Sequence, residues 1–194
     1  MAGSAAAMRG AQRVEQVARL SQLVQRHFPP VAFAFAYGSG VMHQPGLYTS
    51  GSSGDGQPMV DMIFAVEGAR EWHKQNMGHN ASHYSWVAQA PGSGPDLIVS
   101  IAQYIGCGVH FNPLVKLDGT LLKYGVIEAE ELRDDLMSWR HLYIAGRLQK
   151  PVEVLDTGTL GAMARTLVDA QVVNLRSALT AALLQLPPSF TTEV

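Results

Sequence analysis

Residues 31–40, with the sequence VAFAFAYGSG, decide the fold of this chain, because an apolar run breaks abruptly into a glycine-rich turn. The run Val31–Ala36 predicts a fully buried strand, and Gly38-Ser39-Gly40 predicts its exit turn. A second apolar run, Met59–Val66, predicts another strand and contains a single acid, Asp61. A glycine-serine turn presents backbone N–H groups and a hydroxyl to a phosphate, and an acid on a neighbouring strand can hold Mg²⁺ against that phosphate. Together the two runs predict a site for a phosphate and a metal ion.

Other phosphate-binding and hydrolytic motifs are excluded by their spacing. A Walker loop requires lysine, which is absent from Gly38 to His43, and the dinucleotide fingerprint requires glycine where His43 stands. A hydrolase elbow requires glycine two residues on either side of Ser39, where Tyr37 and Val41 stand. The nucleotidyltransferase pattern remains. Its alternative is an ordinary strand-to-helix turn, since such turns favour glycine for conformational reasons alone.

Asp61 carries the metal prediction on its own. Nucleotidyltransferases usually place two acids one residue apart on this strand, so that two Mg²⁺ ions bridge the reacting phosphates, but Ile63 occupies the second position. An unpaired carboxylate between apolar neighbours is costly unless it binds a metal or lies at a sheet edge. We favour metal binding over a structural aspartate. A helper carboxylate could come from Asp55, Glu67 or a later strand, and the sequence does not choose among them.

The composition of the chain excludes several functional classes. The chain has 194 residues, 47% of them hydrophobic, and a formal net charge of −2. It is therefore long enough for a filled core, but it has no overall electrostatic attraction to nucleic acid, and we expect no nucleic-acid partner. Cys107 is the single cysteine, which excludes an internal disulfide framework and is expected to be an inert buried thiol. The longest apolar runs are too short to cross a membrane.

Hydrophobic periodicity and helix breakers predict the remaining elements. An N-terminal amphipathic helix should end near Phe28, before Pro29-Pro30. In the middle of the chain, these patterns predict a short helix after Val41, followed by a surface loop at Gly46–Gln57. They then predict a helix from Gly68, a helical turn at Ser82–Trp86, and a helix rather than a strand at Leu97–Ile105. A hairpin of Val109–Val115 and Leu121–Ile127 is predicted next. The last third predicts one long helix at Glu128–Leu148, a short strand at Val152–Leu155 and a helix at Leu175–Leu186. The tryptophans are expected in the core or in domain contacts: Trp72, Trp86 and Trp139.

The order of these elements predicts an α+β protein, in which a mixed sheet is covered by helices and followed by a helical appendage. Residues 1–13 contain Arg9 and Arg13 among many alanines but no acid. That composition suits either a weak mitochondrial transit segment or a disordered start. Residues 14–127 form the predicted core domain, and residues 128–194 form a helical second domain.

Segments spread over the chain after residue 30 carry a resemblance to a known family. They are Phe35–Val41, Asp61–Val66, Trp72–Asn76, Ser82–Ser85, Phe111–Leu114, Lys123–Ile127 and Leu142–Val152, in this order. The set resembles the mitochondrial phosphatidate cytidylyltransferase family, also named the mitochondrial translocator assembly and maintenance protein family. The run YIAGRLQKPV at residues 143–152 is specific to that resemblance.

The resemblance implies a Mg²⁺-dependent enzyme that makes CDP-diacylglycerol and pyrophosphate from CTP and phosphatidic acid. It implies a place on the matrix side of the inner mitochondrial membrane, with peripheral membrane contact, and a role in cardiolipin synthesis. The implied fold is a nucleotidyltransferase-like core of polymerase-β type, followed by a partial, winged-helix-like helical domain. The family also shows a single aspartate on the second strand, which agrees with Ile63. Family members continue beyond the position of Val194, so we expect a shortened chain whose second domain is incomplete.

The chemistry then assigns roles to individual residues. The nucleophile would be the phosphate of phosphatidic acid, which is already ionised, so no general base is required. We expect Gly38-Ser39-Gly40 to bind the triphosphate of CTP, and Asp61 to hold Mg²⁺ and act in catalysis. Lys123 and Arg147 are the predicted catalytic cations, with Lys150 as a third candidate. Each of these cations could instead be a solvated surface charge.

Several alternatives stay open at the level of sequence. His79 and His83 share one helical face if that segment is helical and could then hold zinc, although a capping or hydrogen-bonding role for His83 is favoured. An apolar groove between the sheet and the helices after Glu128 would suit the acyl chains of the lipid. The chain could instead be a soluble nucleotidyltransferase acting on another acceptor, or a non-catalytic assembly factor for inner-membrane protein translocases. The sequence also leaves a homo-oligomer open.

Overall fold

The structure is a computed structural model that describes residues 2–41, 59–90, 92–158, 161–187 and 189. Its helices are α1 (Ala2–His27), α2 (Ala69–His79), α3 (Trp86–Gln89), α4 (Pro95–Tyr104), α5 (Ala129–Ser138), α6 (Tyr143–Arg147) and α7 (Ala162–Leu183), with a 3-10 turn at Ala81–His83. Its strands are β1 (Phe33–Tyr37), β2 (Val60–Val66), β3 (Val109–Leu117), β4 (Thr120–Glu128) and β5 (Glu153–Leu155). The short helix predicted after Val41 and the loop predicted at Gly46–Gln57 lie outside the described residues.

The described strands form one five-stranded mixed sheet in the order β3-β4-β2-β1-β5. Strands β2 and β4 are parallel, and the other neighbouring pairs are antiparallel. This sheet and its helices confirm the predicted α+β class. The strands β1 and β2, the β3–β4 hairpin and the helix α4 lie where the sequence predicted them. Parallel pairing requires a long crossover connection, and the chain between β2 and β4 supplies it with three helices and β3.

Helices cover both faces of the sheet because strand residues alternate between the faces. One face packs against α1 through a cluster that includes Leu20, Val24, Phe28, Met62 and Phe64. The other face packs against α5, α6 and α7 through a cluster that includes Phe35, Ile63, Leu132, Ile144 and Leu167. Each of these side chains is buried, which stabilises the fold by about 1.5–3 kcal/mol per residue. Asp61 precedes Ile63 by two residues and therefore lies on the second face.

The predicted single helix Glu128–Leu148 is wrong, because the chain forms two helices there. Between them, Trp139 and Leu142 adopt left-handed backbone conformations, with φ of 55° and 56°. The buried carboxylate of Asp135 accepts hydrogen bonds at 2.8–3.0 Å from three backbone N–H groups, those of His141, Leu142 and Ala145. These bonds satisfy N–H groups at the start of α6 that have no partner within the helix. The carboxylate thus begins a second helix where the apolar pattern alone predicts a continuation.

Replacing Asp135 with asparagine is expected to lower the free energy of unfolding by about 2 kcal/mol. The amide has one oxygen in place of two, so at least one of the three backbone N–H groups loses its acceptor. Urea denaturation measures the change. The matched control is Asp134→Asn, one residue earlier, where the exposed carboxylate pairs with Arg133 and the expected change is within about 0.5 kcal/mol. Equal stabilities of the two variants would contradict this account of the turn.

Other local predictions are corrected or extended. Helix α7 begins at Ala162, well before the predicted start at Leu175, because its first turns pack against α5. Trp86 is 81% exposed, whereas the other two tryptophans pack in the core.

Cys107 is exposed and not buried as predicted, because it lies in the tight turn between α4 and β3 with φ of 52°. Helix α1 extends back to Ala2, so residues 2–13 are helical here. The transit role of that segment and the domain boundaries stay predictions.

Candidate active site

The glycine turn packs directly against the start of β2. Gly38 has a left-handed backbone with φ of 80°, a conformation that glycine adopts at little cost. At Gly40, a Cβ atom would lie 2.5 Å from the carbonyl oxygen of Met59 and 3.2 Å from the Cα atom of Val60. Ser39, between the two glycines, is exposed. The turn therefore requires glycine at Gly40, favours it at Gly38, and leaves the serine hydroxyl accessible.

Asp61 lies beside this turn, aligned with Tyr37 on β1 and with Lys123 on β4. Its side chain is half-buried, and its Oδ1 atom is buried with no hydrogen-bond partner in the described part of the chain. A Cβ atom at Gly38 would lie 3.5 Å from Oδ2, so the carboxylate approaches the turn. Burial raises the pKa of Asp61, while the positive charges of Lys123 and Arg147 act to lower it. A buried carboxylate oxygen without a partner is costly and indicates a place for a ligand.

The two predicted cations reach this carboxylate from different elements, and each lies over an aromatic ring. The Nζ atom of Lys123 lies 4.7 Å from the centre of the Phe111 ring. The Cζ atom of Arg147, at the end of α6, lies 5.0 Å from the centre of the Tyr37 ring. Among the described residues, neither cation has a carboxylate within the 4.0 Å of a salt bridge. With Asp61 ionised, the site holds one net positive charge.

Tyr37 stays a neutral phenol in this setting. Its pKa is raised to about 12, mainly by burial and further by the negative charge of Asp61 and by Tyr143, while Arg147 acts to lower it. A neutral phenol carries no negative charge that could pair with the guanidinium of Arg147 in place of a phosphate. The contact between Tyr37 and Arg147 is therefore made through the ring face.

The structure brings together most of the site that the sequence predicts: Gly38, Asp61, Lys123 and Arg147. Lys150 is exposed beyond α6, and its charge is not among those that shift the pKa of Asp61. Sequence reasoning missed three rings of the site, those of Tyr37, Phe111 and Tyr143. One signal was available, since Phe33, Phe35 and Tyr37 alternate along β1 and so share the face of Asp61.

The described residues supply a single carboxylate to this site. Glu67 follows the far end of β2 and lies about 20 Å from Asp61 along the strand. Glu153 of β5 lies on the opposite face of the sheet, where it forms an ion pair with Arg13. Asp55, the other predicted helper, lies outside the described residues.

This donor set fits Mg²⁺ better than a metal held wholly by protein. Mg²⁺ prefers oxygen ligands, keeps several waters, and is commonly bound by one or two carboxylates together with substrate phosphates. In the described ranges, the structure has no group of three or more His, Cys, Asp or Glu residues that could hold a metal ion. Asp61 would therefore be the protein ligand, and its unpartnered Oδ1 atom is the observation that makes it suitable.

A buried polar cluster on the α1 face accounts for two of the histidines. The Asn76 amide donates hydrogen bonds to the hydroxyls of Tyr84 and Tyr124, at 2.8 and 2.9 Å. The Nδ1 atoms of His73 and His83 lie 2.9 Å from the Tyr84 hydroxyl and 3.0 Å from the Tyr124 hydroxyl. Burial lowers the pKa of His73 to about 3, so it is neutral at physiological pH. The predicted hydrogen-bonding role of His83 is confirmed.

An apolar groove of about 690 Å³ opens between the β1–β5 edge of the sheet and α7. Its apolar lining comes from Ala32, Phe33, Val154, Leu155, Ala164 and Val168. The polar side chains of Asp156, Thr157, Arg165 and Asp169 complete the lining. A groove between the sheet and the later helices was an open alternative at the level of sequence. Of the helices that the structure describes, none is long and apolar enough to span a bilayer.

Fold and site together indicate the class of protein to which the chain belongs. The chain is an α+β protein in which a glycine turn, one carboxylate and two cations meet at one end of a mixed sheet. This combination suits a ligand that carries several phosphate groups and a divalent cation.

Comparison with known proteins gives the family. The family model of mitochondrial phosphatidate cytidylyltransferase matches residues 20–194. Curated proteins of that name include one from Mus musculus, 46% identical over 168 residues, or 86% of this chain and 47% of the mouse protein. Another, from Dictyostelium discoideum, is 37% identical over 183 residues, or 89% of this chain and 42% of that protein. The chain belongs to the mitochondrial phosphatidate cytidylyltransferase family, and it spans less than half the length of these two relatives.

Proposed function

We propose that this chain carries the nucleotide-binding part of a phosphatidate cytidylyltransferase. Such an enzyme transfers CMP from CTP to phosphatidic acid and releases pyrophosphate, which yields CDP-diacylglycerol for cardiolipin synthesis. Family membership supports the proposal. The observation that supports it most directly is the buried Oδ1 atom of Asp61, which lacks a hydrogen-bond partner in the described part of the chain and lies beside a glycine turn and two cations without salt bridges.

In the proposed reaction, a phosphate oxygen of phosphatidic acid attacks the α-phosphorus of CTP. The bond between the α-phosphorus and the oxygen that bridges to the β-phosphate breaks, and pyrophosphate leaves. The attacking phosphate is ionised at neutral pH, so the protein's task is to position the reactants and to neutralise charge. The turn at Gly38-Ser39-Gly40 would bind the triphosphate through backbone N–H groups and the serine hydroxyl. Lys123 and Arg147 would offset the charge that accumulates on the departing pyrophosphate.

Asp61 would hold Mg²⁺, with phosphate oxygens and water as the remaining ligands. When bound, the ion supplies Lewis-acid stabilisation of the phosphate oxygens. On this proposal the sheet with its glycine turn is a nucleotidyltransferase-like core of polymerase-β type. The resemblance alone supports a winged-helix-like domain in the segment from residue 128, whose strand β5 also pairs with β1 in the core sheet.

The lipid substrate would reach this site at a membrane surface. The apolar groove between the β1–β5 edge and α7 is the feature that suits acyl chains, because Phe33, Val154 and Val168 line it. The word mitochondrial in the relatives' names supports a mitochondrial location. We propose peripheral contact with the matrix side of the inner membrane, where phosphatidic acid would be extracted.

Nucleotide selectivity tests the proposal directly. With Mg²⁺ present, CTP is expected to raise the melting temperature of the chain more than ATP, GTP or UTP, because the proposed site binds CTP in preference to the others. A ligand that binds only the folded state stabilises it by about 2.7 kcal/mol at 100 times its Kd. Differential scanning fluorimetry at equal nucleotide concentrations measures the shift. Equal or absent shifts for all four nucleotides would contradict a CTP site.

Product analysis separates the proposal from its enzymatic alternative. CTP and vesicles containing phosphatidic acid are expected to yield pyrophosphate and CDP-diacylglycerol in equal amounts. Pyrophosphate release from ATP with a soluble acceptor, and none from CTP with phosphatidic acid, would instead establish a soluble nucleotidyltransferase.

A further inference from the structure

Lys123 and Arg147 differ from the arginines that form ion pairs in what lies beside their charge. Several guanidinium groups pair with carboxylates, as in Arg13–Glu153, Arg70–Asp96 and Arg133–Asp134. The two cations of the site lie over the rings of Phe111 and Tyr37 instead. A ring face attracts a cation but leaves its charge uncompensated and its N–H donors free. Both cations therefore lie against a ring and are still able to bind an anion.

Phe111 owes its position to the missing side chain of Gly125. Phe111 on β3 is aligned with Gly125 on β4, and a Cβ atom at Gly125 would lie 2.7 Å from the Cε1 atom of Phe111. Lys123 is the preceding residue of β4 on the same face, because side chains on one face are two residues apart. The ring occupies the space above Gly125 and reaches the ammonium group of Lys123. Tyr143 packs against its edge, with ring centres 6.3 Å apart.

Tyr37 positions Arg147 as Phe111 positions Lys123, with its ring face under the cation, but on the other side of Asp61. It is aligned with Asp61 across the β1–β2 pair, and Lys123 is aligned with Asp61 across the β2–β4 pair. A guanidinium over the Tyr37 ring therefore lies on the opposite side of the carboxylate from Lys123. The two rings thus set the cations on either side of one acid.

We propose that Phe111 and Tyr37 are positioning residues, whose ring faces hold Lys123 and Arg147 apart from Asp61 so that both cations bind a polyphosphate. The inference rests on the proposed function for the identity of that ligand. Affinity for the polyphosphate then depends on the electron density of the Phe111 and Tyr37 rings, although neither ring touches a phosphate.

The contact between Lys123 and Phe111 is tested first without any nucleotide. Reductive methylation with ¹³C-formaldehyde labels every lysine and keeps its charge, and the Lys123 resonance is the one that disappears in Lys123→Arg. Its methyl signals are expected upfield of those from Lys74, Lys116 and Lys150, because the ring current of Phe111 shields them. In Phe111→Leu the signals are expected to move to the position of the others.

The matched control removes a ring from the opposite face of the sheet. Phe28→Leu makes the same chemical change in the α1 cluster and should leave the Lys123 signal upfield, although it lowers stability. An unshielded Lys123 signal in the unsubstituted protein would overturn the inference, whatever the protein binds.

The second measurement relates ring electron density to affinity. Mono-, di- and trifluorophenylalanine at position 111 withdraw density from the ring face with little change in shape. The Kd values for CTP with Mg²⁺ and for inorganic pyrophosphate are expected to rise stepwise, by about 3- to 30-fold over the series. Tyr37→Leu should weaken binding by a similar factor, and Tyr37→Phe, which retains a ring face, should recover most of it.

The outcomes separate this inference from the proposed function. Binding that is unaffected by fluorination would overturn the positioning role while leaving the CTP site intact. If the unsubstituted protein binds neither CTP nor pyrophosphate, the proposed function fails together with the role in polyphosphate binding, even if the Lys123 signal is shielded. Stepwise weakening together with a shielded Lys123 signal establishes the inference.

Discussion

Cytidylyl transfer is expected to fall by about 10³-fold when Asp61 is replaced by asparagine, since metal-assisted charge stabilisation contributes several kcal/mol to phosphoryl chemistry. Asparagine retains the shape of the side chain but not the charge that holds Mg²⁺. The CTP-induced rise in melting temperature should lose its dependence on Mg²⁺ in the same variant. Pyrophosphate release and scanning fluorimetry measure the two effects.

The same substitution is expected to stabilise the metal-free protein at neutral pH. The pKa of Asp61 in the folded state is raised above its ordinary value of 3.8, so the folded state binds this proton more tightly than the unfolded state. Stability from this group is complete below the ordinary pKa and is lost as the pH rises through the folded-state pKa. The variant should therefore have the higher melting temperature at pH 7 without Mg²⁺, and the difference should vanish at pH values below 3.8.

The control for Asp61 is Asp96→Asn, which removes an exposed carboxylate paired with Arg70 and should leave both activity and its Mg²⁺ dependence unchanged. In cells that lack the endogenous enzyme, Asp61→Ala also separates catalysis from a role in translocase assembly. If the folded variant still restores cardiolipin, the metal assignment is wrong. Loss of cardiolipin with normal protein abundance supports the enzyme.

Gly40→Ala is expected to disrupt the turn, lowering the free energy of unfolding by about 3 kcal/mol or more. The added Cβ atom would lie 2.5 Å from the carbonyl oxygen of Met59 and 3.1 Å from its carbonyl carbon. Both are backbone atoms of the segment that leads into β2, so they cannot move aside as a flexible side chain would. Displacement of the turn should also remove the CTP-induced stabilisation. Urea denaturation and nucleotide titration measure the two losses.

Gly78→Ala provides the matched control for the glycine turn. Gly78 lies in α2, and a Cβ atom there meets nothing within 4 Å. Alanine should stabilise that helix by about 0.5–1 kcal/mol and leave nucleotide binding unchanged. Equal behaviour of the two variants would show that the contact with Met59 does not constrain the turn.

Local patterns were sufficient for the elements whose cause is local. The apolar run before Gly38 predicted β1, the proline pair after Phe28 predicted the end of α1, and Asp118-Gly119 predicted the β3–β4 turn. The failures had distant causes. The break between α5 and α6 depends on Asp135, whose carboxylate binds backbone groups six to ten residues further along, and apolar periodicity does not register such a bond.

The sequence by itself determined the fold class and the glycine turn and singled out Asp61 as a candidate, because each depends on short-range chemistry: burial of apolar runs, glycine conformation and an acid among apolar neighbours. It also pointed to Lys123 and Arg147, but only as candidates among other charges. Tertiary structure alone decided that they belong together. The parallel pairing of β2 with β4 sets Lys123 beside Asp61, and the turn at Asp135 directs α6 so that Arg147 lies over Tyr37. Both depend on contacts between residues far apart in the chain, which no local pattern specifies.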